Sequence, residues 1–487
     1  MNITLLATLL CSSTIYASGC QSIESASTPT ANPHAPIVID GKCDEWATPN
    51  TGIADDRYIY LHFSPPSDSL QAIQAAPYTT RIRIDADQNP KTGRPMQWMS
   101  LEASLQQPQG VDLLIELSPK NDLGTIGIGS SVMHYDPSGT GTSIGHAALG
   151  FMFLPTFSAP QYELRIDRHA PGSAALPSQG PIEIVIDQVD ENDRFLWSTT
   201  IGVELPALGK ADKPDALIPA KPKKSVRIMS ANVLFSSPLK DPAPFKRIID
   251  ATDPDVILYQ EWFNTPAEDV QNWLDTHAGK GWALHMPSAK AGVAIASRQP
   301  IITAYETVLP PSNSGRPARG VAALIDTDAG ELLAISIHLK CCGSADSPED
   351  HKRIEQAQSI NDFVRFVHTQ HPKAKIVIAG DFNLVGSYEP MAAMIDSLGA
   401  QGQDLTPIDA QILADASTIT WNDEKSRFSP GRLDWVLIDE STSTAANAFI
   451  LDTRALSDAS LNIMGLERND SQASDHLPIV IDLKKAR

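Results

Sequence analysis

The chain is expected to fold as an all-β sandwich followed by an α/β domain. Upstream, short strand-like runs alternate with turn residues. Downstream, compact Val/Ile-rich runs alternate with helical stretches. Between them, residues 206–224 hold four prolines and five lysines with little apolar periodicity, the composition of an extended linker. The 487 residues are 42% hydrophobic, enough for two folded cores and too apolar for a disordered chain. With 38 basic against 58 acidic residues and a net charge of −20, a dedicated basic nucleic-acid binder is excluded. Five cysteines, none in a CxxC pair, make neither a disulfide scaffold nor a structural zinc site.

In chain order, residues 3–17 form an apolar stretch ending in small residues, too short for a membrane span of about 20 residues. Residues 1–19 therefore predict an export signal, although no Lys or Arg precedes the apolar core. Ala17-Ser18-Gly19-Cys20 resembles a bacterial lipobox, with Ala17 where Leu is usual. Two locations follow as expectations: a cell-envelope lipoprotein anchored through Cys20, or a freely secreted protein. Residues 20–35, rich in Ser, Thr and Pro, suit a flexible tether.

Residues 36–205 read as the sandwich, with strands expected at 57–64, 79–87, 111–118, 161–168 and 182–189. The order of IVIDGKCDEW (37–46), ADDRYIYLHF (54–63) and IDADQNPKTG (84–93) resembles family 9 carbohydrate-binding-module-like sandwiches. Asp85, Asp87 and Asn89 alternate ahead of Gly93, a spacing that suits Ca²⁺ but equally makes a hairpin turn; without a closing carboxylate, the turn is favoured. Trp46 and Trp98 could stack on a sugar, but as sandwich tryptophans they are expected in the core. The linker composition predicts that the sandwich is separable from the domain after it.

From Ser225, strands are expected at 225–232, 255–261, 291–297, 332–339, 375–381 and 433–439, with a helix over 347–371 capped by Ser347. Asn232, Glu261, His338 and Asp381 then fall at the C-terminal ends of strands, the rim where layered α/β folds build sites. SAN with Asn232, YQE with Glu261, IHL with His338, GDFN with Asp381 and Asn383, RLDW with Asp434 and SDH with Asp475 and His476 stand in an order that resembles the endonuclease/exonuclease/phosphatase superfamily.

That resemblance spans nearly all of 225–487 and implies two packed β-sheets flanked by helices, a four-layer α/β sandwich, and hydrolysis of phosphate mono- or diesters. It implies Mg²⁺ or Mn²⁺ held by Glu261, Asn232 and Asp475, hard oxygen ligands suited to such ions. His476 is the implied general base, with Asp434 holding its tautomer. Asp381 and Asn383 would position the water, and His338 would donate to a phosphoryl or leaving oxygen. Leu234 stands where apurinic endonucleases carry a further acid, which aligns the site with the sphingomyelinase and phosphatase branches. Lys340, Arg316 and Arg319 are candidate substrate-phosphate ligands by charge and position. Cys341-Cys342 is expected as an oxidised pair or a buried turn rather than a soft-metal site.

Within ester hydrolysis, an extracellular nuclease and a sphingomyelinase or phospholipase C-like enzyme remain alternatives. The acidic charge leans away from a stable nucleic-acid partner, and no long aromatic insertion suggests a membrane hairpin. A rival of another class is an inert cell-surface protein that binds through the sandwich.

Overall fold

The computed structural model describes residues 37–66, 71–97, 108–306, 308–309 and 319–486. The export signal, the tether, Cys20, Trp98 and Arg316 lie outside the described residues. No described helix is long and apolar enough to cross a membrane.

The N-terminal region is a strand-rich pair of antiparallel sheets. One has four strands, in the order Thr51–Ala54, Tyr58–Phe63, Tyr162–Asp167, Met152–Leu154. The other has six, with Thr79–Asp85 between Gly180–Val189 and Leu113–Leu117. Alternation turns Ile59, Leu61, Ile82, Ile84, Ile184 and Ile186 into the shared core. Trp46 sits beside that body, its Nε1 donating to Glu163 Oε2 at 3.2 Å. Asn89 N donates to Asp87 Oδ1 at 2.9 Å and Thr92 Oγ1 donates to Asp87 Oδ2 at 2.8 Å, the bonds of a turn. Asp85, Asp87 and Asp112 carboxylates do gather within 4.8 Å, but Asp112 is engaged by the Ala86 N–H, and the Ca²⁺ expectation gains no support.

The C-terminal region stacks two mixed sheets face to face. Val226–Asn232 and Val256–Gln260 run parallel in the centre of a seven-stranded sheet. Gly330–His338 and Lys375–Asp381 do the same in a six-stranded sheet. Val226, Ile228, Val256 and Leu258 meet Ala334, Val377, Ala379 and Val436 between the sheets. Met229, Ile257 and Tyr259 turn outward onto the helices Pro242–Thr252 and Ala267–Trp273. Ile335, Ile376 and Ile378 turn outward onto the helix Pro348–Gln370. Strands covered on both faces need apolar residues at every position, which is why these runs do not alternate. The long helix starts where its cap predicts, with Ser347 Oγ accepting from Asp350 N.

The segment 206–224 is irregular, as its prolines dictate, but it is not a free tether. Lys221 pairs with Asp255 at 2.9 Å, Arg227 donates to the Pro219 carbonyl, and Ala216 and Ile218 pack on the outer core. The two regions also share buried material: Ile37, Ile39, Tyr58, Tyr60 and Leu154 enter the inter-sheet core of the C-terminal region. Arg165 binds Asp415 through two bonds of 2.6 and 2.9 Å, and Ile39 bridges to Ser417. These contacts tie the two regions together more closely than the linker suggests, because its composition carries no information about the surfaces it joins.

Candidate active site

The site is assembled by strand register. His338 pairs with Asp381 across one parallel ladder, and Asp381 pairs with Asp434 across the next antiparallel one. Three polar side chains thus stand on one rung of the six-stranded sheet. The other sheet contributes Asn232 opposite Gln260, with Glu261 immediately after its strand. Glu261 and Asn383 both follow a strand in the left-handed conformation, φ +67° and +50°. Each thereby turns its strand's exit at the site, at the conformational cost such residues carry.

The side chains then interlock. Asn232 Nδ2 donates to Glu261 Oε1 at 3.2 Å, and the Phe235 N–H donates to Glu261 Oε2 at 3.1 Å. His338 Nε2 lies 3.4 Å from Asp381 Oδ2 and 4.0 Å from Glu261 Oε1. The ligand-type atoms of Glu261, His338 and Asp381 all fall within 4.8 Å of one another. Asn383 N donates to Asp381 Oδ1 at 2.9 Å, closing the turn after the strand. His476 Nδ1 and Asp434 Oδ2 are 2.7 Å apart, and His476 Nε2 faces Asp381 Oδ2 at 3.9 Å. A ring of Phe263 borders His338 at 5.8 Å, and the exposed Phe235 leans on Phe263.

Burial sets the electrostatics. It pushes the Asp381 carboxyl up to about 8, with Asp434 and Glu261 adding repulsion that His476 only partly relieves. Burial works against the His476 imidazolium, but the Asp434 carboxylate overrides it and raises the group to about 10. His338 is held neutral, its pKa well below the ordinary range, by burial and then by the Arg319 and His476 charges. Three carboxylates, Glu261, Asp381 and Asp434, thus share the pocket with the imidazolium of His476.

Not every expected residue joins. Arg319 does: its guanidinium lies 3.3 Å from His338 Nε2. The Lys340 ammonium instead donates to the Cys341 carbonyl at 2.9 Å, so the structure gives it no contact with the cluster. Cys341 and Cys342 are free thiols, the first half-buried and the second exposed, neither an oxidised pair nor a buried turn. Arg353 explains their backbone by donating to the carbonyls of Lys340 and Cys342. Asp475 stands beside His476 but is tied elsewhere. Its Oδ2 accepts from Trp421 Nε1 at 3.0 Å, while its Oδ1 is buried without a partner.

Two supporting residues escaped the sequence reading. Thr420 Oγ1 accepts from both Leu433 N and Asp434 N, and Trp421 orients Asp475. A Thr-Trp pair in a loop carries no signal of its own, because its partners lie 13 to 54 residues away.

Residues 229–476 match the model of the Endonuclease/Exonuclease/phosphatase family. No curated protein matches the chain. Among solved structures, the chain is similar to beta toxin 275-280 from Staphylococcus aureus at 18% identity, covering 53% of this chain and 99% of that one, with a TM-score of 0.37. The catalytic domain of human Nocturnin aligns at 17% identity over 55% and 97% of the two chains, with a TM-score of 0.39. A 3′-5′ exonuclease from Neisseria meningitidis aligns at 20% identity over 53% and 99%, with a TM-score of 0.37.

Proposed function

The chain belongs to the endonuclease/exonuclease/phosphatase family, hydrolases of phosphate esters, and from that premise we propose a metal-dependent phosphoesterase that cleaves mono- or diesters by attack of water. One observation carries the reading: the carboxylates of Glu261 and Asp381 are drawn together with His338 in a buried pocket. Like charges held this close are costly unless a cation or proton compensates them.

The donor set fits Mg²⁺ or Mn²⁺, with Glu261 and Asn232 as holders and Asp381 within reach. When bound, such an ion would neutralise phosphoryl and leaving oxygens and offset the carboxylates that keep His476 protonated. The chain's own groups do the rest. Neutral His476 accepts the proton of the attacking water at Nε2, while Asp434 steadies Nδ1–H and the imidazolium that forms. Asp381 and Asn383 orient that water. Arg319 and His338 offer donors to the phosphoryl oxygens, where negative charge builds.

The test is turnover by the full chain on soluble phosphomonoesters and diesters, DNA, RNA and phospholipids, with Mg²⁺ or with EDTA. Activity should require the ion, and Glu261→Gln should lower metal affinity and rate together. Undiminished turnover in EDTA after exhaustive metal removal would overturn the proposal.

A further inference from the structure

Among the described residues, the sandwich segment 154–158 reaches two loops of the active site. Thr156 Oγ1 donates to the Leu384 carbonyl at 2.7 Å and lies 3.3 Å from the Arg432 carbonyl. Leu384 follows Asn383 directly, and Arg432 stands two residues before Asp434. One hydroxyl from the sandwich therefore faces two loops that carry separate site residues. The rest of the segment follows the same path. Ser158 N donates to the Gly386 carbonyl at 2.7 Å, and the Phe157 ring meets Tyr388 at 5.0 Å.

The catalytic region leaves room for this side chain. A Cβ at Gly431 would come within 2.2 Å of Thr156 Cγ2, so a larger residue there would push the threonine away. Arg432 is fixed from its other side, with its guanidinium 3.6 Å from the Trp435 ring centroid and NH2 donating to the Ile408 carbonyl. The two loops also touch directly, through Phe382 N donating to the Leu433 carbonyl at 2.9 Å. Two carbonyls presented to one point repel unless a donor sits between them, and leaving them unbonded costs their desolvation.

We propose that Thr156 is a positioning residue of the active site. It holds the Asn383 turn and the approach to Asp434 at their working separation, which makes the sandwich a part of the catalytic centre. The role rests on the reading of Asn383 and Asp434 given under the proposed function. Misplacing a catalytic group by about 1 Å can cost roughly a hundredfold in rate, so one hydroxyl placed here has leverage on turnover out of proportion to its effect on stability.

The experiment compares full-length Thr156→Val, Thr156→Ser and Ser130→Ala with wild type. Ser130 Oγ donates across the same interface to the Arg427 carbonyl at 3.0 Å, away from any site residue. Kinetics on a soluble phosphodiester are read beside hydrogen exchange of the Phe382 and Asn383 amides. Thr156→Val should lower kcat roughly ten- to a hundredfold with KM near wild type, and should speed exchange at both amides. Thr156→Ser should restore both, and Ser130→Ala should change neither. If Thr156→Val does not fold, Thr156→Ala takes its place. Wild-type kcat and exchange in the hydroxyl-free variant, or equal losses in Ser130→Ala, would reduce Thr156 to ordinary packing. Should the wild type turn over no phosphoester, the enzymatic reading falls by itself. The exchange data, which need no substrate, still decide the positioning role.

Discussion

His476 carries two demands at once: a general base must be neutral before it acts, yet its Asp434 partner at 2.7 Å favours the protonated ring. Burial opposes the imidazolium but loses to that carboxylate, leaving the group at about 10 in the metal-free protein. A cation beside Glu261 and Asp381 disfavours further positive charge, so it must move the titration downward. NMR titration of the His476 ring should give a midpoint near 10 without metal and a lower one with Mg²⁺; an unmoved midpoint removes His476 from the base role. Kinetically, His476→Ala should cost at least about 10² in kcat, the lower bound for such proton transfer. Asp434→Asn should cost less, and the two should be strongly non-additive, since Asp434 acts through His476. Additive losses would favour His338 as base, a neutral ring already in the pocket. At this scale the sequence was informative about identity. Glu261, His338 and Asp381 at strand ends, with His476 in the loop ahead of the last strand, were legible as a series. Thr420 and Trp421 were not, because each matters only through what it touches.

Gly380 shows what an element demands of one position. It lies within the strand Lys375–Asp381 at φ +142°, and a Cβ there would meet the Ile337 carbonyl at 2.0 Å and Gln260 Nε2 at 3.0 Å. The glycine lets the two sheets and the neighbouring strand close around the residue before Asp381. Gly380→Ala should force the Gly330–His338 and Lys375–Asp381 strands apart, costing about 1–3 kcal/mol from overpacking. Thermal unfolding reads that loss directly, and a Tm equal to wild type would show that the ladder has room to spare. The apolar runs predicted these strands well, since two-sided burial leaves an unbroken pattern. Ser443–Ile450, rich in small residues, and Ile479–Lys485 were not expected as strands, yet they pair along their length at the sheet's far side. The composition of Ser443–Ile450 is weak, and pairing with a formed neighbour supplies what propensity lacks, whereas Ile479–Lys485 opens on Ile-Val-Ile, a strand signal present in the sequence itself.

The whole molecule behaves as two folds sharing one buried seam. Residues 225–487 made alone would lose Ile37, Ile39 and Leu154 from their buried core and would strip Asp415 of Arg165. That piece should unfold at a lower temperature than the full chain and turn over substrate more slowly, measured by calorimetry and by kinetics on one soluble ester. Equal stability and equal kcat would restore the independent-domain view that the linker suggested. The two kinds of information divide along a physical line. Periodicity, turn residues and side-chain chemistry act over a few neighbours, so a sandwich, a layered α/β domain and an ordered series of strand-end acids and histidines could be read from 487 letters. Contacts between Thr156 and Leu384, 228 residues apart, or Arg165 and Asp415, 250 apart, leave no local trace. They arise when formed surfaces dock and bury what each would otherwise expose, and that docking joins the sandwich to the catalytic rim.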